Sequence, residues 1–142
     1  LASESTLNPI FLLQERAVRI ICKAGYLDNT AHLFRRERIL PIDKLIKFNS
    51  MRLMFDYGHA LLPSIFIFPK FTWIKTNQIH NINLRNANNY YIEHVRAIYL
   101  KSHPLFSFPL TWNALSNEIK NANSRKVFSR LLLDKLISEI DW

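Results

Sequence analysis

Apolar residues recur three and four positions apart near the start of the chain, a spacing typical of an amphipathic helix. Asn8 followed by Pro9 is typical of a helix start, and Gly25 is suited to a left-handed helix end. The pattern therefore predicts a helix from Pro9 to Ala24. Its apolar face consists of Ile10, Leu13, Ala17, Ile20, Ile21 and Ala24, and a separate basic stripe consists of Arg16, Arg19 and Lys23.

Two more helices are expected before residue 63. Thr30 is the predicted N-cap of a short helix over residues 31–38, which Leu33 and Phe34 anchor. A longer helix follows and is expected to stop at Pro63, because proline cannot continue a helix. Its stripe consists of Leu45, Phe48, Met51 or Arg52, Phe55 and His59.

The last part of the chain shows two helical patterns separated by an Asn/Ser break. After Pro109, the residues Trp112, Leu115 and Ile119 fall at i, i+3 and i+7, on one edge of a short helix. Ser124 is the predicted cap of a final helix. One face of that helix comprises Phe128, Leu131, Leu132, Leu136 and Ile140, and the opposite face comprises Lys126, Arg130 and Asp134.

Residues 63–108 lack a regular pattern and are rich in Asn, which favours loop or extended chain. Within them, residues 94–100 fit a short strand or a helical turn, because the apolar run is too short to distinguish the two. Only two glycines argue against a β-rich fold. We predict a mainly α, single domain or domain fragment of about five helices with an irregular, Asn-rich central insert: helical over 9–62, irregular and basic over 63–108, and helical over 109–141.

The charge balance points to a polyanionic partner. Nineteen Lys and Arg residues against eleven Asp and Glu residues give a formal net charge of +8, which favours nucleic acid first and an acidic membrane surface second. A length of 142 residues with 49 % hydrophobic residues suits one globular domain. The most apolar stretch, "ALLPSIFIFPKF", is shorter than the ~20 residues of a membrane span. We therefore expect no membrane partner.

Residue types with catalytic or metal-binding chemistry are present, but their spacing does not suit that chemistry. The acidic residues stand singly, whereas a two-metal site needs clustered carboxylates. The five histidines lack metal-ligand spacing, and two glycines are too few for a phosphate-cradling loop. We predict a chain with no catalytic residues, no metal and no cofactor. Cys22, the single cysteine, is interpreted as a small core residue.

The cysteine content and the start of the chain favour an intracellular protein. A single cysteine is usual in a reducing compartment, and the first residues, "LASESTLN", lack the basic and apolar regions of a signal peptide. The expected location is the nucleus and the cytoplasm. Because the chain begins with Leu1 rather than Met, we expect it to be a segment of a longer product.

Basic residues, some of them close to aromatic residues, form the candidate nucleic-acid surface. Lys and Arg supply phosphate contacts, and exposed aromatic rings stack on bases. The rings of Tyr90 and Tyr91 either stack on bases or pack on the helices, and the sequence does not distinguish these alternatives. The candidate contacts are Arg16, Arg19, Lys23, Arg35, Arg36, Arg38, Arg85, Tyr90, Tyr91, Arg96, Lys126 and Arg130.

Several segments in serial order resemble one protein family. The run "FLLQERAVRIICKAGYLDNTAHLFRRERILPIDKLI" is similar to the pattern that follows the polymerase domain in reverse transcriptases of non-LTR (LINE-type) retrotransposons, especially jockey-like elements. The run "WNALSNEIKNANSRKVFSRLL" is similar to the closing segment of that family. The agreement extends over residues 13–133. The matching positions are Gln14, Arg16, Ala17, Arg19, Leu33, Phe34, Ile39, Leu40, Leu45, Trp112, Asn113, Leu115, Ile119, Ser124, Phe128 and Leu132.

This resemblance implies the C-terminal segment of a reverse transcriptase polyprotein. The family's catalytic aspartates lie upstream of such a segment, so none of them has a counterpart here. The segment is expected to help bind template RNA or target DNA during target-primed reverse transcription, with the upstream polymerase domain of the same polypeptide as a second partner. The signature residues, to which we assign a core role, are Gln14, Trp112, Asn113, Leu115 and Phe128.

Two alternatives to nucleic-acid binding remain open. The chain is a structural module whose apolar faces dock on the upstream polymerase domain, or it is a remnant of a decayed element with no cellular role. Departures from the family pattern motivate the second alternative, since Ser116 stands where the family usually has proline. An exposed apolar patch larger than a few hundred Å² would favour the docking module.

Overall fold

The computed structural model describes residues 4–63, 73–79, 88–92 and 103–141. These residues form helices and loops, and the prediction of a mainly α fold is confirmed. Within the described ranges, no helix has the length and apolar content that a membrane span requires. The helices are α1 (Glu4–Ile21), α2 (Ala31–Arg36), α3 (Ile42–Gly58), α4 (Thr76–Ile79), α5 (Pro104–Asn113), α6 (Asn117–Lys120) and α7 (Arg125–Ser138).

Residue contacts divide the chain into two compact units. The central unit comprises residues 50–128, and the terminal unit comprises residues 2–49 and 129–142. The division falls within α3 and α7, so each unit includes part of both helices. The predicted organisation as one domain or a domain fragment stays a prediction.

Aromatic rings form much of the core of the central unit. Phe55 of α3 stacks on Phe128 of α7 with ring centroids 4.5 Å apart, and Phe128 stacks on Trp112 of α5 at 5.7 Å. Tyr90 meets Trp112 edge to face at 5.9 Å. Rings of this size remove large apolar areas from water, so they supply much of the packing energy. The other buried apolar residues of this unit are Met51, Met54, Leu115, Ile119 and Ala122.

In the terminal unit, α1 packs on α2 and on the start of α3. Phe11 stacks on Phe34 with centroids 6.1 Å apart. Gln14 donates through Nε2 to the Leu40 carbonyl at 2.8 Å and accepts the Ile42 N–H at 2.9 Å. One amide therefore satisfies backbone groups on both sides of the loop before α3. The buried apolar residues of this unit include Val18, Ala31, Leu33, Leu40, Leu132, Leu136, Ile137 and Ile140.

The face of α1 that packs differs from the face that apolar spacing suggests. The predicted apolar face points to solvent: Leu13 is 62 % exposed and Ile20 is 77 % exposed. The helix has apolar residues on two edges, so periodicity alone does not identify the buried one. The packing face contains Phe11, Gln14, Glu15 and Val18.

Both ends of α1 lie away from their predicted positions. The helix begins at Glu4, so Pro9 lies inside it and Asn8 is not its cap. At the other end, Lys23 rather than Gly25 takes the left-handed conformation, with φ at 53°. The predicted boundaries of this helix are therefore wrong at both ends.

Three helices of the described chain end in the same way, with a residue other than glycine in the left-handed conformation. The φ angle is 53° at Lys23 after α1, 54° at Arg38 after α2 and 54° at Ala60 after α3. At each site that residue's N–H bonds to the carbonyl three residues back, and the next N–H bonds five residues back. These are the bonds of a Schellman motif. α3 thus ends at Gly58, before its predicted stop at Pro63.

Thr30 does not cap α2 with its side chain. Its hydroxyl donates to the Glu15 carboxylate of α1 instead. The capping bond comes from the preceding residue, because Asn29 Oδ1 accepts the Ala31 N–H at 2.8 Å. Thr30 is therefore the N-cap residue of α2 by position, as predicted, but its buried hydroxyl links α2 to α1 and forms no capping bond.

The predicted stripe of α3 is correct in part. Met51 and Phe55 are buried, whereas Leu45 and His59 are exposed. Met54 and Asp56, which the stripe does not include, are buried as well. The pattern is weak because polar and apolar residues alternate without a clean helical period along this segment.

The prediction for α7 is confirmed. Ser124 Oγ accepts the Val127 N–H at 3.3 Å, which is the bond of an N-cap. On the predicted apolar face only Leu131 is half-buried, and Phe128, Leu132, Leu136 and Ile140 are buried. The opposite face, with Lys126, Arg130 and Asp134, is exposed.

The single helix predicted after Pro109 is two helices. α5 begins at Pro104 and ends at Asn113, and α6 begins at Asn117. The expected irregular segment therefore ends earlier than residue 108. The residues expected to share one helix edge, Trp112, Leu115 and Ile119, are all buried although they do not share a helix.

The described part of the central insert contains one helical turn, α4, and one isolated antiparallel bridge between Lys75 and Tyr90. The alternatives for residues 94–100 lie outside the described residues. The bridge brings the segment before α4 beside residues 88–92, and this pairing forms part of the site described below.

Candidate nucleic-acid interface

Cationic side chains come together where α1 and α2 end. Cys22, just after α1, has its Sγ 3.8 Å from Glu37 Oε1, just after α2. Arg36 Nε donates to the same carboxylate oxygen at 2.8 Å. Cys22 is half-buried in this polar contact, so its interpretation as a core residue is wrong. The cationic residues at the two helix ends are Lys23, Arg35, Arg36 and Arg38.

Three of the predicted contact residues take part in ion pairs. The pairs are Arg19 with Glu15 (3.9 Å), Arg36 with Glu37 (2.8 Å) and Arg38 with Asp134. The hydrogen bond to Glu37 holds the pKa of Arg36 above its usual value, with a smaller contribution from Cys22. The Arg36–Glu37 and Arg38–Asp134 pairs are exposed, so a phosphate can replace the carboxylate at little cost, whereas the Arg19–Glu15 pair is half-buried.

Other predicted contact residues are exposed and lie outside any ion pair formed by described residues. On the terminal unit these are Arg16 and Lys23, seven positions apart along α1 and its end, and Arg35 at the end of α2. Lys126 and Arg130 of α7 are exposed and outside ion pairs of the described chain in the same way. Such side chains can contact phosphate directly.

Of the two adjacent tyrosines, Tyr90 lies in the core and Tyr91 lies on the surface. Tyr90 is 2 % exposed and packs edge to face on Trp112, so its ring is not available to stack on a base. Tyr91 is 52 % exposed. The flanking candidates Arg85 and Arg96 lie outside the described residues.

The Trp-Asn pair holds residues 88–90 of the Asn-rich segment against α5. Asn113 Oδ1 accepts the Tyr90 N–H at 2.9 Å, and Asn113 Nδ2 donates to the Tyr90 carbonyl at 2.8 Å. Trp112 Nε1 donates to the Asn88 carbonyl at 3.3 Å. Among the other predicted signature residues, Leu115 and Phe128 are buried and Gln14 bonds backbone groups of the terminal unit. The two neighbouring side chains thus fix a segment that lacks regular structure.

Lys120 is a buried cation that sequence reasoning missed. It is 7 % exposed, and its ammonium donates to Asn89 Oδ1 and to the Asn113 carbonyl, each at 2.9 Å. Lysine is seldom buried unless its charge is satisfied. At the end of the short run "NEIK", Lys120 has the sequence context of an ordinary surface lysine, and no local signal distinguishes it.

A cavity of about 330 Å³ lies in the central unit beside Lys120. Lys75, His59 and Tyr90 also line it, together with amide side chains of the Asn-rich segments. The Tyr90 hydroxyl is buried and has no hydrogen-bond partner among the described residues. Burial, with a smaller contribution from Tyr57, raises the pKa of Tyr90 to about 12.

Positive charge is distributed unevenly along the chain. Residues 50–128 contain nine Lys and Arg against three Asp and Glu, a net charge of +6. The remaining residues contain ten against eight, a net charge of +2. The excess that predicts a polyanionic partner therefore belongs mainly to the central unit, although most of the predicted contact residues belong to the terminal unit.

Comparison with known protein families, curated proteins and solved structures finds no match to this chain. The resemblance to the C-terminal segment of non-LTR reverse transcriptases stays a prediction. Two features of the described residues are candidates for binding an anion. They are the exposed cations of the terminal unit and the cavity of the central unit, which Lys75 and Lys120 line.

Proposed function

We propose that this chain is the non-catalytic C-terminal segment of a non-LTR retrotransposon reverse transcriptase polyprotein, and that it binds template RNA or target DNA during target-primed reverse transcription. The observation that carries the binding proposal is the set of exposed cations on α1, just after α1 and on α2. The serial motif resemblance supports the identity of the parent protein. Its partners are then nucleic acid and the upstream polymerase domain, in the nucleus and the cytoplasm.

The proposed interface is defined by Arg16, Lys23 and Arg35, which we call the cation group. All three are exposed and outside ion pairs of the described chain, so they meet phosphate without first losing a carboxylate partner. Arginine and lysine contacts to phosphate release counterions, which makes binding strong at low salt and weak at high salt. These contacts carry no sequence information, so we expect little sequence preference.

The direct test is fluorescence anisotropy of a labelled single strand titrated with the purified chain. RNA and DNA strands of one sequence are compared at low salt. We expect saturable binding that weakens steeply as salt is added. Absence of binding to both strands at low salt would contradict the proposal, and a difference between the strands would identify the preferred nucleic acid.

A second function is favoured by the exposed apolar face of α1. Ile10, Leu13, Ile20 and Ile21 are between about half and three-quarters exposed along one side of the helix. A row of large apolar side chains on one helix face is typical of a docking surface. The structural alternative, in which the chain braces the upstream polymerase domain, assigns this face to that contact.

The docking alternative predicts a specific result for Leu13→Gln combined with Ile20→Gln. Because both side chains are exposed, the free energy of unfolding should change by less than ~0.5 kcal/mol. Binding to the polymerase domain, supplied as a separate polypeptide and measured by calorimetry, should fall at least about tenfold. Leu27→Gln, at a leucine that is exposed outside α1, is the matched control and should leave binding unchanged. Equal affinities for the double variant and the control would contradict the docking role.

A further inference from the structure

We propose that the cavity of the central unit is a phosphate-binding site whose principal contacts are the Lys75 ammonium and the Tyr90 hydroxyl. The site is separate from the cation group, and none of its lining residues other than Tyr90 is predicted from sequence as a nucleic-acid contact. Its volume of about 330 Å³ is at the lower end of small-ligand pockets, enough for a phosphate with part of an attached nucleoside.

The electrostatics of the cavity favour an anion. Lys75 and Lys120 line it together with His59, and no carboxylate is among its described lining residues. The buried carboxylate of the same unit, Asp56, is engaged by Arg125 at 3.1 Å. The described residues of the central unit contain five Lys and Arg against two Asp and Glu, so this unit attracts anions.

The hydroxyl of Tyr90 lacks the acceptor that a buried donor normally has. A point defined by the position of a Cβ at Gly58 lies 2.9 Å from this hydroxyl and 4.0 Å from Lys75 Nζ. The two donors therefore lie within about 7 Å of each other. A single bound phosphate presents several acceptor oxygens, so two of them can accept from the two donors at once.

Amide side chains also form part of the cavity wall. Asn88 Nδ2 donates to Asn121 Oδ1 at 3.0 Å, so the amide N–H groups of Asn121 are turned away from Asn88. Both residues line the cavity, together with Asn123. Phosphate presents several acceptor oxygens and forms strong, charge-assisted hydrogen bonds, which suits a wall of ammonium, hydroxyl and amide donors.

The phosphate comes from a nucleic-acid strand if the proposed function is correct, and this assignment of source rests on that proposal. A strand end suits a cavity of this size, because a terminal phosphate projects beyond the chain whereas an internal one is flanked on both sides. The site itself needs only the described side chains, so its test does not depend on nucleic-acid binding.

The experiment is an NMR titration of the purified chain, observing the Tyr90 amide and the Trp112 indole N–H at constant ionic strength. The probes are inorganic phosphate, acetate, and one oligouridylate with either a 5′-phosphate or a 5′-hydroxyl. We expect saturable shifts with inorganic phosphate, none with acetate, and tighter binding of the 5′-phosphorylated strand than of its 5′-hydroxyl form. Absence of saturable shifts with phosphate overturns the site, as do equal responses to acetate.

Substitutions of cavity residues test whether phosphate binds in this cavity. Lys75→Gln should weaken phosphate binding about tenfold, and Tyr90→Phe should weaken it several-fold, because each removes a hydrogen bond to a charged ligand. Lys75 pairs with Tyr90 through the backbone bridge, so neither change removes a backbone contact. Lys135→Gln, which removes the same charge outside the cavity lining, is the control. Equal weakening by Lys75→Gln and Lys135→Gln overturns the site.

The titrations with inorganic phosphate and with the two strands distinguish failure of the phosphate site from failure of the proposed nucleic-acid binding. Phosphate binding with no effect of the 5′-phosphate on strand binding supports the site and contradicts its nucleic-acid source. Strand binding without phosphate binding overturns the site and leaves the cation group as the interface.

Discussion

Single polar side chains hold the irregular part of the central unit in place. The amide of Asn113 satisfies both the N–H and the carbonyl of Tyr90, while Trp112 donates to the Asn88 carbonyl. Buried backbone groups need such partners wherever no helix or sheet supplies them. The side chains of Trp112 and Asn113 thus hold residues 88–90 in position through hydrogen bonds.

Because Asn113 forms two hydrogen bonds to the Tyr90 backbone, we predict that Asn113→Ala destabilises the fold. Two backbone groups of a buried residue lose their partners, so the free energy of unfolding should fall by about 2 kcal/mol. Urea denaturation followed by tryptophan fluorescence measures this change. Asn49→Ala, at an exposed position of α3, is the control and should stay within ~0.5 kcal/mol of wild type. Similar values for both variants would show that the Asn113 bonds contribute nothing.

Tyr90→Phe is predicted to stabilise the unliganded chain. The variant removes a buried hydroxyl that has no partner among the described residues, which should raise the free energy of unfolding by about 1 kcal/mol at neutral pH. The pKa of Tyr90 is about 12 in the folded chain against 10.0 for a free side chain. Between these values the unfolded chain loses this proton and the folded chain keeps it, so stability falls as the pH rises from 10 toward 12.

The difference in the free energy of unfolding between wild type and Tyr90→Phe should therefore grow at alkaline pH. Wild type should lose up to about 2 kcal/mol relative to Tyr90→Phe over this interval, since phenylalanine does not titrate. Urea midpoints measured at intervals from pH 9 to 11.5 give the comparison. Parallel pH profiles for the two proteins would contradict the burial of the hydroxyl.

The ends of α1, α2 and α3 carry backbone strain that substitution by glycine should relieve. Lys23, Arg38 and Ala60 all occupy the left-handed conformation at Schellman motifs, where glycine has no steric cost. The strain is about 1–2 kcal/mol for a residue with a Cβ, and it is partly offset by the greater freedom of glycine in the unfolded chain. The net gain available at each end is therefore modest but measurable.

Ala60→Gly should raise the free energy of unfolding by about 0.5–1 kcal/mol, because Ala60 has a φ of 54°. Ala17→Gly, at an exposed position inside α1, should lower it by about 1 kcal/mol. The same substitution thus has opposite signs at the two positions, and thermal unfolding shows both. A destabilising Ala60→Gly would mean that α3 does not end in this conformation.

Elements with strong local signals are predictable from sequence, and those fixed by tertiary contacts are not. The Ser124 cap and the apolar face of α7 follow from local spacing, so their prediction is correct. In α1, two apolar edges compete, and the contacts of Phe11 and Gln14 decide which edge is buried. The Lys120 site depends on acceptors at Asn89 and Asn113, which sequence spacing does not bring together.

The positively charged features of the molecule belong to two different units. The cation group belongs to the terminal unit, whose net charge is +2, and the cation-lined cavity belongs to the central unit, whose net charge is +6. The proposed interface and the proposed phosphate site therefore belong to different units. Salt sensitivity should be a property mainly of the cation group, because its side chains are exposed and exposed charges are screened most.

The salt dependence of single-strand binding in two triple variants tests the role of the cation group directly. Removal of the cation group by Arg16→Gln, Lys23→Gln and Arg35→Gln should flatten the slope of log K against log salt by about 2, since each phosphate contact contributes about 0.7 on a single strand. The matched control, Lys44→Gln, Lys47→Gln and Lys135→Gln, lowers the net charge equally but lies outside the group. We predict a flattened slope for the first variant alone, and equal slopes for the two variants would contradict binding through the cation group.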